Sequence, residues 1–185
     1  IKSSFYFVCY LHKKILKALI QVFSELISTE KFSSKSYIQL MDISENCIPK
    51  YQNSFDIISW IENHYSKNYH FSDIIVNCNV KHFDFKKRII SKGNKIHPAL
   101  NLKQKFKFFF WSCLFFFGLF KDLLRGNWFT SVLSYECILA KKVEIIDSDK
   151  LAREYFYSWS QYAFRPLWTY FSEKRNSKVT MYCYG

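Results

Sequence analysis

Residues Phe108 to Phe120 read FFFWSCLFFFGLF, thirteen residues without a charge, seven of them phenylalanine. Lys103, Lys105 and Lys107 precede the run and Lys121 follows it. So much aromatic surface has to be covered by something other than water. At ~1.5 Å per residue a helix of this length covers about 20 Å, short of the ~30 Å hydrocarbon core of a bilayer. The run is therefore too short to span, and two arrangements are open. It is a helix buried in a core, or it lies in a membrane interface with its rings in the acyl boundary and its lysines among the head groups. In the second arrangement the membrane contacts are Lys107, Phe109, Phe110, Trp111, Phe116, Phe117 and Lys121.

The rest of the composition narrows the classes. The chain has 185 residues, enough for one good-sized core or two small ones. Gly and Pro are scarce, at 4 and 3, which excludes collagenous, disordered and Gly-loop-rich chains. The net charge of +12 fits a polyanionic or anionic-membrane partner. The basic residues are nearly all Lys, however, in a chain rich in Asn, Ile, Phe and Tyr, as an AT-rich coding sequence would give. Nucleic-acid readers lean on Arg for bidentate contacts, so nucleic acid is not the expected partner. The six cysteines lack metal-ligand spacing and contain no CxxC pair, so no metal site is expected. Sitting mostly among apolar residues, they suggest a reduced, cytoplasmic compartment.

Periodicity places the elements. Phe5 to Ile27 is helical, with Leu16, Leu19, Ile20, Phe23, Leu26 and Ile27 on one face, which is expected to enter the core, a basic interfacial helix being the alternative. Ser54 caps an expected short helix to Tyr65. Asp73 to Val80 reads as a strand, Lys86 to Arg88 as a basic cluster, and 92–95 as a loop. Pro98 is positioned to open a helix that carries the Phe-rich run to Leu124 and ends at Gly126. Asn127 is expected to cap a second helix from Trp128 to Lys141, making a hairpin at 100–142. Val143 to Ile146 is expected as strand or connector. Glu154 to Trp159, Phe164 to Arg175 and Lys178 to Tyr184 read as strand, helix, strand, a pattern that implies parallel pairing. The expected fold class is thus α/β, with a helix-rich region at 1–148 and the start of a parallel-sheet domain at 149–185.

No phosphate loop, GxGxxG, HExxH, GxSxG or kinase signature is present. His12, His64, His70, His82 and His97 are scattered and read as structural. Asp147, Asp149 and Glu154 lie close in sequence and would suit a general base or a cation site, or simply a solvated loop. The most specific stretch is YSWSQYAFRPLWTYFSEKRNSK at 157–178. It combines a strand end, a polar turn and a helix start, where ligands of open α/β sheets bind and where free N–H groups suit a phosphate. Ser158, Ser160, Tyr162 and Arg165 are the candidate ligand-binding residues, Arg165 through a bidentate phosphate contact. Its other reading is a pairing with a nearby carboxylate.

The string FRPLWTYFSEKRNSKVTMYCYG at 164–185 resembles a block of bacterial surface-polysaccharide biosynthesis proteins of the PFTS-motif type. There an RPLWTYEAEK-like helix leads through a Gly-Ser turn into a strand ending in Tyr. Here Phe171 and Ser172 replace an acidic-Ala pair. Asn176 stands in place of Gly, a mild change because Asn tolerates the left-handed backbone of a helix end. The resemblance covers about a fifth of the chain, from Leu151 on, and the family's naming motif is not in it. What it implies is a glycosyltransferase-like fold, a nucleotide sugar as donor, and a lipid-linked glycan acceptor at the inner face of the membrane. No cofactor is evident, and the catalytic residues are not identified. Because the chain begins on Ile and stops at a strand end, it is expected to be an N-terminal fragment. The alternative function is a non-catalytic, membrane-associated scaffold.

Overall fold

A computed structural model describes residues 2–29, 37–40, 73–76, 89–91, 97–158 and 165–182. The protein is a mixed α/β chain whose contacts group into two units. One comprises Ile1–Lys31, Ala99–Asp147 and Pro166–Ser172; the other comprises Phe32–Pro98, Ser148–Arg165 and Glu173–Gly185. The units are interleaved along the chain rather than divided once near residue 148.

The first unit is helical. Helix α1 is Lys2–Ile27, α2 is Leu102–Leu124, α3 is Phe129–Val132 and α4 is Ser134–Ile145. Asn101, not Pro98, starts α2. Its side chain accepts from the Gln104 N–H at 2.9 Å while the Gln104 side chain accepts from the Asn101 N–H at 2.9 Å, a reciprocal capping box. Gly126 ends the helix at φ 77, and its N–H reaches the Leu123 carbonyl at 3.0 Å. Lys105 Nζ donates to the Ser28 carbonyl at 2.6 Å, and the Phe7 and Trp128 rings meet edge to face at 5.1 Å. The first contact joins the end of α1 to the start of α2; the second joins the start of α1 to the segment after α2. The two helices therefore run antiparallel.

The second arm of the expected hairpin is broken at Leu133 into α3 and α4. Asn127 accepts weakly from the Phe129 N–H, at 3.4 Å. Val143 to Ile145, expected outside the helix, complete α4 instead. Val143 and Ile145 are buried there, and Gln104 Nε2 donates to the last carbonyl, of Ile145, at 3.1 Å. Packing outweighs the weak local preference of β-branched residues for strands.

Helix α1 also departs from its expected orientation. Leu11, Ala18, Val22 and Glu25 are its buried residues, whereas Leu16, Ile20, Phe23 and Ile27 are exposed. Two adjacent observations explain the rotation. Glu25 pairs with Lys142 of α4 at 2.7 Å, with side chains 7% and 3% exposed, and accepts from Gln21 Nε2 at 2.7 Å. Ala18 and Ser134 let the backbones approach, and Ser134 Oγ donates to the carbonyls of Ser131 at 2.8 Å and Lys14 at 3.4 Å.

The second unit holds a five-stranded sheet. Its strands are β1 Tyr37–Leu40, β2 Asp73–Val76, β3 Ile89–Ser91, β4 Glu154–Ser158 and β5 Lys178–Tyr182. The order is β3-β2-β1-β4-β5, and every neighbouring pair is parallel. The expected strand–helix–strand order is present along the chain as β4, helix α5 (Leu167–Lys174) and β5, with β4 and β5 parallel and Leu167 to Ser172 grouped with the helical unit. Three strands from earlier in the chain belong to the same sheet, so the sheet does not begin at residue 149. Ile38, Gln39 and Leu40 of β1 are all buried, as are Glu154 to Tyr157 of β4. Burial on both faces is what central parallel strands require. Asn176 takes the left-handed backbone, φ 67, that lets α5 turn into β5. The expected helix at 54–65, residues 77–80 of the second strand, the basic cluster at 86–88 and the loop at 92–95 lie outside the described residues.

The buried Glu25–Lys142 pair makes a specific stability prediction. Lys142→Met alone should cost about 3–5 kcal/mol, because it strands a buried carboxylate, while Glu25→Leu with Lys142→Met should recover most of that loss. Urea denaturation of both variants tests it; a single-variant loss under about 1 kcal/mol would mean the pair behaves as a solvated one.

Candidate functional site

Helix α2 is apolar nearly all round, so burying one side leaves a second apolar side outward. Phe108 is fully buried and Leu119 nearly so, together with Gln104 and Ser112, whose hydroxyl donates to the Phe108 carbonyl at 2.8 Å. Opposite them run Leu102, Phe106, Phe109, Phe110, Leu114, Phe117, Phe120 and Leu124, all exposed, with Phe110 at 65% and Phe117 at 73%. Their spacing of three, four and seven residues makes one continuous stripe. Cys113 lies exposed within it.

Of the expected membrane contacts, Lys107, Phe109, Phe110, Phe117 and Lys121 are on or beside this stripe and exposed. Trp111 and Phe116 are half-buried. Trp111 stacks on Phe108 and on Phe115, centroids 6.4 and 5.0 Å apart, with Lys141 Nζ 5.4 Å from its ring. Phe116 leans edge-on against Phe115 at 5.5 Å. Leu102, Phe106, Leu114, Phe120 and Leu124 join the face without having been expected there. Following the 3.6-residue period through the charge-free run places Leu114 and Phe120 there, and extending it beyond the run adds Leu102, Phe106 and Leu124. Among the described residues no helix is long and apolar enough to cross a membrane.

The second candidate region is the start of α5. Ser160 and Tyr162 lie outside the described residues; Ser158 is the last residue of β4. Arg165, half-buried, forms an ion pair with Glu173. The first helical N–H, of Leu167, donates to Glu136 Oε2 at 3.2 Å. Both groups that would receive a phosphate thus already face carboxylates. Glu154 is likewise engaged, with Lys178 Nζ at 3.0 Å and Thr180 Oγ1 at 2.5 Å, while Asp147 and Asp149 are exposed. Among the described residues no cluster of His, Cys, Asp or Glu could hold a metal. His97 is buried, its Nδ1 3.2 Å from the Tyr155 hydroxyl, which also accepts from the Ala152 N–H at 3.1 Å.

Burial pushes the Glu136 carboxyl up from its ordinary value of 4.5, against the opposing pull of the Leu167 N–H, Lys17 and Lys14. The folded state therefore keeps this proton where the unfolded chain has lost it. That contribution is fully present below pH 4.5 and is lost as the pH rises through the higher folded value. Glu136→Gln keeps an acceptor for Leu167 and cannot ionise. Its urea midpoint should match the parent protein at acidic pH and exceed it increasingly toward neutrality. A gap that stays constant with pH would show that Glu136 is not held above its ordinary range. No family model, curated protein or solved structure matches this chain.

Proposed function

We propose that this is a membrane-peripheral protein of surface-polysaccharide assembly, docked on the bilayer by the outward face of α2. One observation carries the membrane half: α2 buries Phe108 and Leu119 on one side and presents a continuous stripe of phenylalanine and leucine on the other, while the interior of the unit gives room to polar side chains. Glu25, Lys142, Gln104, Ser112, Ser131 and Ser134 are buried, whereas Phe106, Phe110, Phe117 and Phe120 are exposed. In water this arrangement costs free energy at every exposed ring; in an interface each ring contributes. Small and hydroxyl residues at helix contacts are also what lipid-contacting helices use to pack.

The polysaccharide half rests on the resemblance at 164–185. Acceptors in such pathways are lipid-linked, so a docked protein meets its substrate at the surface where it is held. The fully elaborated version of this reading is a glycosyltransferase using a nucleotide sugar. The pairing of Arg165 with Glu173 and of the Leu167 N–H with Glu136 favours the second version, a non-catalytic scaffold at the same surface.

Two measurements separate these. Phe110→Ser with Phe117→Ser should reduce vesicle co-sedimentation by roughly ten-fold for each ring removed, with the urea midpoint unchanged because both rings are exposed. Retained binding would remove the membrane reading. Arg165→Ala should then weaken nucleotide-sugar binding if the protein is a transferase; unchanged affinity leaves the scaffold.

A further inference from the structure

We infer that the docking face of α2 is selective for anionic lipid, through a row of cations along one border of its aromatic stripe. The inference rests on the reading of α2 as a docking surface and names the lipid class it takes. Lys103, Lys107, Lys121 and Arg125 are separated by four, fourteen and four residues. At ~100° per residue these spacings bring the four side chains within about 40° of one another around the helix axis. They fall on a single edge of the stripe, near both ends of the helix. All four are exposed, and none forms an ion pair or side-chain hydrogen bond with another described residue.

Several other charges of the unit are held by partners. Lys105 projects from the opposite border and is held by the Ser28 carbonyl. Lys14 and Lys17 of α1 lie over the rings of Tyr10 and Tyr135, at 5.2 and 4.0 Å. Asp122, the one carboxylate of α2, is on the buried side and accepts from Thr130 Oγ1 at 2.9 Å. The outward half of the helix therefore carries cations and rings with no carboxylate among them. A ring stripe alone fits any bilayer. A cation row parallel to it, at the depth where lipid phosphates lie when the rings are in the acyl boundary, fits a negatively charged leaflet. A nucleic acid or soluble polyanion would match the cations and leave the rings in water.

The test uses the full chain with phosphatidylcholine vesicles and with mixed phosphatidylcholine–phosphatidylserine vesicles. Binding should be tighter to the mixed vesicles, and the preference should shrink as salt rises. Lys103→Gln, Lys107→Gln, Lys121→Gln and Arg125→Gln together should abolish the preference, by about five-fold for each residue. That variant should keep its affinity for pure phosphatidylcholine and its urea midpoint. Equal binding of the parent protein to both vesicles would overturn the selectivity and leave docking in place. A preference that survives in the Gln variant would overturn the assignment of the row. Failure to bind either vesicle would remove the docking reading itself. Displacement from the mixed vesicles by soluble polyphosphate at equal phosphate concentration would reassign the row to a free polyanion.

Discussion

The helical unit depends on the ion pair between Glu25 and Lys142. Desolvating two charges costs several kcal/mol each, and their attraction offsets this only if geometry and hydrogen bonding are good. Here they are: the pair is 2.7 Å long and Gln21 adds a donor to the carboxylate. Having turned Glu25 inward, α1 must also turn inward the residues one, two and four turns before it on the same face, which are Val22, Ala18 and Leu11. Leu16, Ile20, Phe23 and Ile27 are then carried outward by the helix period. A single buried charge thus decides which of two apolar stripes meets solvent.

The same logic runs through α2. Its capping-box Gln104 is also the donor that closes the end of α4, so that residue cannot face outward. Phe108 follows it one turn later into the core, Phe115 and Phe116 are half-buried, and Phe106, Phe109, Phe110, Phe117 and Phe120 are carried outward. The exposed aromatic face is therefore not a defect of packing at particular residues. It follows from which polar groups have partners inside.

Much of this architecture was legible in the sequence because it was written in local terms. The Phe-rich helix, its stop at Gly126, the left-handed Asn176 and the β4–α5–β5 unit all come from periodicity or backbone chemistry. What was not legible was which side of α1 and α2 is inside. Periodicity reports that a stripe exists, and both helices carry more than one. The choice was made by residues far apart in the chain, Glu25 with Lys142 and Gln104 with Ile145. The extent of α4 was hidden for the same reason, since Val143 and Ile145 are held in a helix by contacts no local window contains. At the start of α5 the pairing of Arg165 with a nearby carboxylate was one of the two readings of that residue, whereas the partner of the Leu167 N–H was not legible. Glu136 lies 31 positions from Leu167, and Glu173 is a helix length away from Arg165.

The interleaving of the two units has a consequence in time. Helix α1 leaves the ribosome well before its inner-face partner Lys142, which follows Glu25 by roughly 120 residues. At ~5–20 residues per second that interval is about 6–24 s. For most of it α1 has neither α2 nor α4 against its inner face, while its outer stripe is uncovered in any case. Closure of the helical unit is set by a contact of long sequence separation, which slows folding, so synthesis itself exposes more apolar surface than the finished fold does. A nearby bilayer would shelter α1 during the same seconds in which the chain has not yet made its own cover.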